Sequence, residues 1–293
     1  MVLSAGLGTR LRPLTDRRAK PLVPVGDRPA LAHVLDHLQA SGVQRIVVNA
    51  HHLADQVIAF VGAQTRAGGV LEVKVSVEAA LLGTAGGIAH ARALLGDGDL
   101  LVWNGDILAA GLDVRALTAF HDAVATLVVQ PLGKGSAGQG SVGLDASGCV
   151  VRLRGERFGG ETRGGQFLGI SVLGAALRER LPRQAIPAGL VEDVLLPALA
   201  RGEAVRAFEF EGLWHDIGTL ESYRAANRAW LAARDLPTWV GAGAQIAGAV
   251  KLAGCVIGEA ARIAGAGALE RCVVWPGAHA VAPLRDEVVI TRG

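Results

Sequence analysis

Aromatic residues are scarce: five Trp, six Phe and one Tyr make up 4% of the 293 residues. Packing in such a chain falls to alanine and valine, and forty glycines imply many tight turns. Cysteine is scarcer still. Three, an odd number, supply no disulfide framework and fit a reducing cytoplasm. An excess of charge of one sign is also missing. The net charge of +2 implies neither a basic nucleic-acid-binding face nor an acidic tail. No apolar run approaches the roughly 20 residues of a membrane span, and the apolar start is far too short for a signal peptide. What remains is a chain that is 51% apolar, enough for a sizeable core. Its length exceeds one average domain, so one large and one small unit are expected.

The amino terminus carries the strongest chemistry. Met1-Val2-Leu3 is a short apolar run, followed by Ser4-Ala5-Gly6-Leu7-Gly8-Thr9-Arg10 and, ten residues after Arg10, Lys20-Pro21. Glycines let backbone N–H groups approach a phosphate closely. Arginine adds a planar fork of donors and lysine a mobile point charge. This is polyphosphate chemistry without the Gly-Lys-Ser/Thr of a Walker loop and without the third glycine of a dinucleotide fold, where Leu11 stands. Only three residues precede Ser4, so the first strand is expected to be minimal, and a start codon upstream is left open.

The stretch Gly6-x-Gly8-Thr9-Arg10-Leu11-x-Pro13-Leu14-Thr15, with Lys20-Pro21 after a short spacer, resembles the signature of sugar-1-phosphate nucleotidylyltransferases, the NDP-sugar pyrophosphorylases. Ala19 stands where that signature has the first proline of P-K-P.

Periodicity gives the architecture. Leu31, Val34, Leu35 and Leu38 recur at helical spacing, and Gly42 stops that helix. Ile46–Val48 reads as a buried strand and Leu71–Val77 as a half-buried one. Gly83–Gly87 opens a helix to about Leu95, and Leu100–Trp103 is a strand ending in Asn104-Gly105-Asp106. Alternating strands and helices predict a Rossmann-like α/β fold, a mixed, mainly parallel sheet with helices on both faces. Ligands bind beyond the carboxyl ends of such strands. Gly6–Arg10, His51-His52, Gly83–Gly87 and Asp106 all fall at such ends. Further strands are expected near Thr126–Gln130, Val142–Leu144, Val150–Leu153, Phe167–Leu173 and Val205–Glu211. Helices are expected at Ala175–Leu181, Glu192–Ala200 and Leu220–Ala233. Gly155–Gly165 reads as a flexible loop.

After Pro237 the composition shifts to alanine, glycine and valine. Val240, Ile246 and Leu252 are six apart, as are Ile257, Ile263 and Leu269, and the second set repeats the first after seventeen residues. Aliphatic hexads of this kind predict a short C-terminal left-handed parallel β-helix, with two coils and a degenerate third, Val274–Ile290, interrupted by Pro276 and Pro283. Cys255 and Cys272 are expected to stack as an apolar thiol ladder. The expected domains are 1–236 and 237–293.

The resemblance implies the chemistry: an NTP and a sugar 1-phosphate give an NDP-sugar and pyrophosphate, with Mg2+ as cofactor and UTP or GTP as donor. By resemblance, Arg10 meets the β,γ-phosphates, Lys20 meets charge growing at the α-phosphoryl group, and Asp106 and Asp216 hold the metal, Asp216 lying in Trp214-His215-Asp216-Ile217-Gly218-Thr219. Arg10, Lys20 and Asp106 are the expected catalytic residues. Ala5, Gly6, Gly8, Thr9, Arg10, Gly83 and Thr84 are expected at the nucleotide, as is Glu78, whose carboxylate leans towards guanine. Asn49–Leu53, Asn104–Ile107 and Phe167–Ile170 lean instead towards the N-acetylmuramate-1-phosphate uridylyltransferase branch. Gly140, Glu156 and Gly169 are expected at the sugar phosphate. His51 and His52 are read as a satisfied strand-end pair. No nucleic acid or membrane partner is expected, and an exposed end of the β-helix is the expected route to a homo-oligomer. Two other classes compete: a non-catalytic nucleotide-sugar sensor or scaffold, and an acyltransferase, for which the tail offers only His279.

Overall fold

A computed structural model describes residues 1–66 and 71–291. Residues 67–70 and 292–293 of the expected 1–236 and 237–293 spans lie outside the described residues. The chain divides into two compact units, residues 1–7 with 34–214 and residues 8–33 with 215–293. This division differs from one after residue 236, because the signature segment and residues 215–236 group with the tail.

The first unit is a mixed α/β body. Its parallel ladder runs Glu72–Val77, Arg45–Ala50, Val2–Leu3, Leu100–Asn104. Apolar side chains at Ile46, Val47 and Val48 make the second of these strands buried on both faces, as a parallel strand requires. Helix Ala54–Arg66 crosses between two of them, with Val57 and Val61 buried. The first strand is only two residues long, as expected. The long strand Arg163–Leu173 then pairs antiparallel with Leu100–Asn104, setting Ile170 opposite Trp103. On it stand Ala125–Pro131 and Val142–Leu144, both antiparallel, and Val205–Glu209 pairs parallel with Ala125–Pro131. Leu127, Val129, Leu144, Leu153, Leu173 and Leu195 belong to one buried core.

Gly155–Gly165 is not the uninterrupted loop its composition suggested. Glu156–Arg157 pairs with Val150–Leu153, and residues 163–165 pair with Val142–Leu144. Glycine lowers strand propensity, but neighbouring strand edges recruit its backbone hydrogen bonds all the same. The expected helix around Glu192 is a π-turn, Val191–Leu195, running into an α-turn, Leu196–Ala200.

In the second unit the tail is a set of parallel ladders. Trp239 pairs with Val256, and Val256 with Val273; Gln245 pairs with Arg262, and Arg262 with His279. The offset is seventeen residues throughout, as the hexads required. Then it contracts: Leu269 pairs with Leu284 and Val273 with Val288, an offset of fifteen. The shift falls between Gly265 and Leu269, against the stretch that holds Pro283. The third turn is therefore laddered on either side of Pro283 but shorter by two residues. Cys255 and Cys272 are free, fully buried thiols in adjacent rungs.

The same unit ties its segments together through aromatic side chains. The Tyr223 hydroxyl, on helix Leu220–Ala232, donates to the Pro24 carbonyl at 2.6 Å. The Gly26 amide donates to Asn227 Oδ1 at 2.9 Å. A side chain at Gly26 would collide with the Trp230 ring, which meets Trp239 edge-on at 5.9 Å. The Arg18 guanidinium lies 5.3 Å from the Trp275 ring, a cation–π distance.

Candidate active site

Within the first unit, strand ends converge on a buried polar chain. The Ser4 amide donates to Asn49 Oδ1 at 2.6 Å, and Asn49 Nδ2 donates to Glu78 Oε1 at 2.7 Å. Glu78 Oε2 accepts from the Leu82 amide at 3.1 Å. His51 Nδ1 lies 2.9 Å from the Glu78 carbonyl, so this nitrogen carries the proton, a carbonyl being only an acceptor. Glu78 is 2% exposed. The expectation that it reads a base thus meets a carboxylate already engaged through both oxygens in shaping the Glu78–Leu82 loop. A Cβ on Gly87 would come within 2.6 Å of Glu78 Oε1 and 2.7 Å of Asn49 Nδ2, so this glycine makes room for the pair.

Gly83 and Thr84 open helix Gly83–His90, and its first amides are not empty donors. The Ala85 and Gly86 amides both donate to the Ala188 carbonyl, at 2.9 and 3.2 Å. Thr84 Oγ1 accepts from the Leu190 amide at 2.6 Å. The expected nucleotide loop is therefore braced by residues 188–190, a contact without a sequence signal. Ala5 is buried and Gly6 exposed at the end of the first strand.

Asp106 occupies the tight turn between Leu100–Asn104 and Ile107–Ala109. The Trp103 indole, which donates to the Ile107 carbonyl at 2.9 Å, holds that turn. Gly169 packs on Asn104, leaving no space for a side chain. Gly140 bridges to Gly165, while Glu156 is exposed on its own short strand. The structure thus brings Gly169 to the Asn104-Gly105-Asp106 turn, and sets Gly140 in the loop before strand Val142–Leu144 and Glu156 on a separate edge strand of the antiparallel half.

Within the second unit, the signature folds back on itself in three short turns, Thr9–Leu11, Leu14–Asp16 and Lys20–Leu22. Gly8 takes φ 64°, the left-handed region that favours glycine. A Cβ there would lie 2.6 Å from Thr15 Cγ2 and 3.3 Å from Lys20 Cβ, and the Thr15 hydroxyl donates to the Gly8 carbonyl at 2.8 Å. Gly8, Thr15 and Lys20 are therefore one packed knot. Arg10 and Thr9 stand exposed on it.

From far along the chain, Asp216 joins the same unit. A Cβ on Gly218 would lie 3.1 and 3.3 Å from the Asp216 carboxylate oxygens and 3.3 Å from Arg10 Nη2. The signature arginine and the second expected metal carboxylate thus flank one glycine. Beside them, His215 Nε2 is buried without a hydrogen bond, and burial holds this imidazole below its ordinary pKa. Among the described residues no helix is long and apolar enough to cross a membrane, and no group of three or more His, Cys, Asp or Glu is placed to hold a metal.

The chain is similar to known proteins along most of its length. Residues 1–153 match the family model described as Nucleotidyl transferase. N-acetylmuramate alpha-1-phosphate uridylyltransferase of Caulobacter vibrioides is 46% identical over 126 residues, 42% of this chain and 52% of that protein. Mannose-1-phosphate guanyltransferase of Schizosaccharomyces pombe is 29% identical over 236 residues, 79% of this chain and 64% of that protein. The match to the Caulobacter protein spans about half of that relative's own length. Among solved structures, HddC from Yersinia pseudotuberculosis, complexed with GMP-PN, superposes with a TM-score of 0.64 at 26% identity, covering 78% of this chain and 97% of that one. With the family model matching more than half of its residues, the chain belongs to the nucleotidyl transferase family.

Proposed function

We propose that the protein is a sugar-1-phosphate nucleotidylyltransferase. An oxygen of the sugar 1-phosphate attacks the α-phosphorus of UTP or GTP, the bond from that phosphorus to the β-bridging oxygen breaks, and pyrophosphate leaves. The observation that carries this reading is that Arg10 and the Asp216 carboxylate both come within 3.3 Å of the position a Cβ on Gly218 would take. A cation and an acid held beside a polyphosphate signature suit charge that moves between phosphoryl oxygens.

Ala5, Gly6, Gly8 and Thr9 supply backbone to the nucleotide, Arg10 and Lys20 supply positive charge, and Gly83 and Thr84 present the braced loop to the base and ribose. Glu78 sets the shape of that loop. Gly140, Glu156 and Gly169 serve the sugar phosphate. The donor chemistry fits magnesium: Asp106 and Asp216 are hard oxygen ligands, and Mg2+ takes one or two carboxylates together with phosphate oxygens. Such a cation, when bound, neutralises charge on the phosphates.

Residues 1–236 carry the chemistry in this reading. The 237–293 tail is a left-handed hexapeptide-type β-helix that stabilises the second unit and offers its exposed end to a second copy. Three free thiols accord with a reducing cytoplasm. The test is pyrophosphate release from UTP, GTP and TTP against a panel of sugar 1-phosphates. At least one pair should turn over, and Asp106→Asn should abolish that turnover while leaving the melting temperature unchanged. A wild-type protein that binds an NDP-sugar tightly yet releases no pyrophosphate with any pair would favour the sensor instead.

A further inference from the structure

The loop that carries Gly140 has almost nothing of its own to hold it. Residues 131–141 read Pro-Leu-Gly-Lys-Gly-Ser-Ala-Gly-Gln-Gly-Ser, and Gly133, Gly135, Gly138 and Gly140 all have positive φ. Such a segment is expensive to order, since each glycine loses more conformational freedom than any other residue. One internal tie comes from buried Ser136, whose hydroxyl donates to the Gly133 carbonyl at 2.6 Å and accepts from the Gly164 amide at 3.0 Å.

Backbone ties run from the Gln139 amide to the Ser136 carbonyl and from the Leu132 amide to the Gly164 carbonyl, and Gly140 bridges to Gly165. The side-chain ties on residues 138–140 come from one buried ion pair. Arg152 lies on strand Val150–Leu153, with its side chain 6% exposed, and the Glu161 side chain is 2% exposed. They meet as a fork, Arg152 Nε to Glu161 Oε2 at 2.9 Å and Nη2 to Oε1 at 3.0 Å. The guanidinium's other hydrogen bonds go to the loop and the strand it enters: Nη2 to the Gln139 carbonyl at 2.7 Å, Nη1 to the Gly140 carbonyl at 3.0 Å and Nη2 to the Val142 carbonyl at 3.1 Å. Glu161 Oε1 accepts from the Gly138 amide at 2.8 Å. These hydrogen bonds, the Arg152 fork first, hold the Glu161 carboxyl below its ordinary pKa, so the pair is ionised at neutral pH. Arg157, next to Glu156, also reaches Glu161 Oε2 at 3.4 Å.

The place of this clamp is specific. Gly169 lies against Asn104, at the carboxyl end of the parallel strands. Strand Arg163–Leu173 runs antiparallel there, so Gly165, which bridges to Gly140, stands roughly 13 Å further out at about 3.3 Å per residue. The clamped loop therefore projects past the strand ends, the side on which α/β sheets take their ligands.

We propose that the Arg152–Glu161 pair is a positioning device for the acceptor substrate: it fixes the Gly138–Gly140 backbone and the Glu156–Glu161 turn in the geometry that receives the sugar 1-phosphate, and does not act on the nucleotide. The inference rests on the nucleotidyl-transfer reading above. A buried, bidentate pair is a poor source of net stability compared with apolar replacements. Its four backbone partners, on residues 138, 139, 140 and 142, give it a use in which geometry rather than burial matters.

The experiment measures pyrophosphate release with each substrate varied in turn, for wild type, Arg152→Lys, Arg152→Met and the double variant Arg152→Met with Glu161→Leu. The double variant leaves no buried unpaired charge and carries the test where Arg152→Met does not fold. KM for the sugar 1-phosphate should rise by about ten- to a hundredfold, the range that misplacement of a positioning group produces, while KM for the NTP stays within about twofold. Arg152→Lys, which keeps the charge but not the fork, should fall between. If wild type releases no pyrophosphate with any pair, the nucleotidyl-transfer reading fails and this inference falls with it. If wild type turns over and the variants melt earlier with both KM values unchanged, or raise both together, the inference alone is overturned and the pair is structural.

Discussion

The Trp275 indole donates to the Tyr223 hydroxyl at 2.9 Å, and that hydroxyl in turn donates to the Pro24 carbonyl at 2.6 Å. One buried oxygen thus links the third turn of the tail, a helix and the segment just after the signature lysine. Burial pushes the Tyr223 phenol well above its ordinary pKa, so it stays protonated and able to donate. Tyr223→Phe strands both the indole and the carbonyl, and should cost about 1–3 kcal/mol for each group left unsatisfied. Urea unfolding followed by Trp fluorescence reads this directly. Unchanged stability would mean that water replaces the hydroxyl. Truncation after residue 236 removes Trp275 outright and should lower stability further, which also tests 1–236 as a self-sufficient domain.

Glu78 offers a sharper choice. If its carboxylate shapes the loop, through Asn49 and the Leu82 amide, then Glu78→Gln disturbs stability and the NTP affinity without altering preference among bases. The loss should be about 1–3 kcal/mol in chemical denaturation, as for a buried charge-assisted hydrogen bond. The ratio of kcat/KM between UTP and GTP should hold within about twofold, since no base contact is removed. A large change in that ratio would restore Glu78 to the base.

His33 gives the protein an acid-side weakness. Burial, with Arg28 and Arg234 nearby, holds its pKa below the ordinary value, against the opposing pull of the Val25 carbonyl and Asp27. Neutral His33 lies with Nε2 2.8 Å from the Val25 carbonyl. Below about pH 6.5 the unfolded chain takes up a proton at this residue that the folded chain resists. Stability is therefore fully present above that pH and falls as pH drops towards the folded pKa. His215, also shifted down by burial, adds to the same slope. His33→Gln should flatten part of the decline in melting temperature between pH 7 and 5. An undiminished slope would assign the decline to His215 and other groups.

Much of the scaffold was legible because its causes are local. The alternation of Leu71–Val77 and the uninterrupted Ile46–Val48 gave strands within two residues of the observed bounds, and Val142–Leu144 and Val150–Leu153 agree to the residue. The seventeen-residue repeat foretold the register of the first two turns of the tail, but not the contraction to fifteen in the third. What stayed hidden depends on distant partners. Arg163–Gln166 is strand only because Val142–Leu144 and Ala125–Pro131 lie beside it. Arg152 sits in an expected strand and Glu161 in the Gly155–Gly165 stretch read as a flexible loop, and only the fold pairs and buries their side chains. Helix Val114–Phe120 also went unseen, although Asp113 accepts from the Ala116 amide as its cap. Seven residues hold too few periods to stand out. Of the proposed site residues, Arg10, Lys20 and Asp216 were singled out by the signatures. The Ser4–Asn49–Glu78 chain was not, because Asn49 lies at the end of an apolar strand and shows its use only through its partners.

Gly218 makes the Arg10–Asp216 relationship testable without touching either side chain. Its backbone is outside the left-handed region, so alanine is conformationally acceptable there. The new methyl would sit 3.1 Å from Asp216 Oδ1 and 3.3 Å from Arg10 Nη2, tighter than ordinary contact. One or both must yield by a few tenths of an ångström, while the fold, held elsewhere by Tyr223 and Trp230, does not. Gly218→Ala should therefore melt like wild type yet lose about ten- to a hundredfold in kcat, as small misplacements of phosphate-handling groups do. Gly248→Ala, at a tail glycine with open space around it, is the matched control and should be silent in both measurements. Full activity in Gly218→Ala would show that the spacing of Arg10 and Asp216 does not limit turnover. A matching loss of stability would place the defect in the turn rather than in the chemistry.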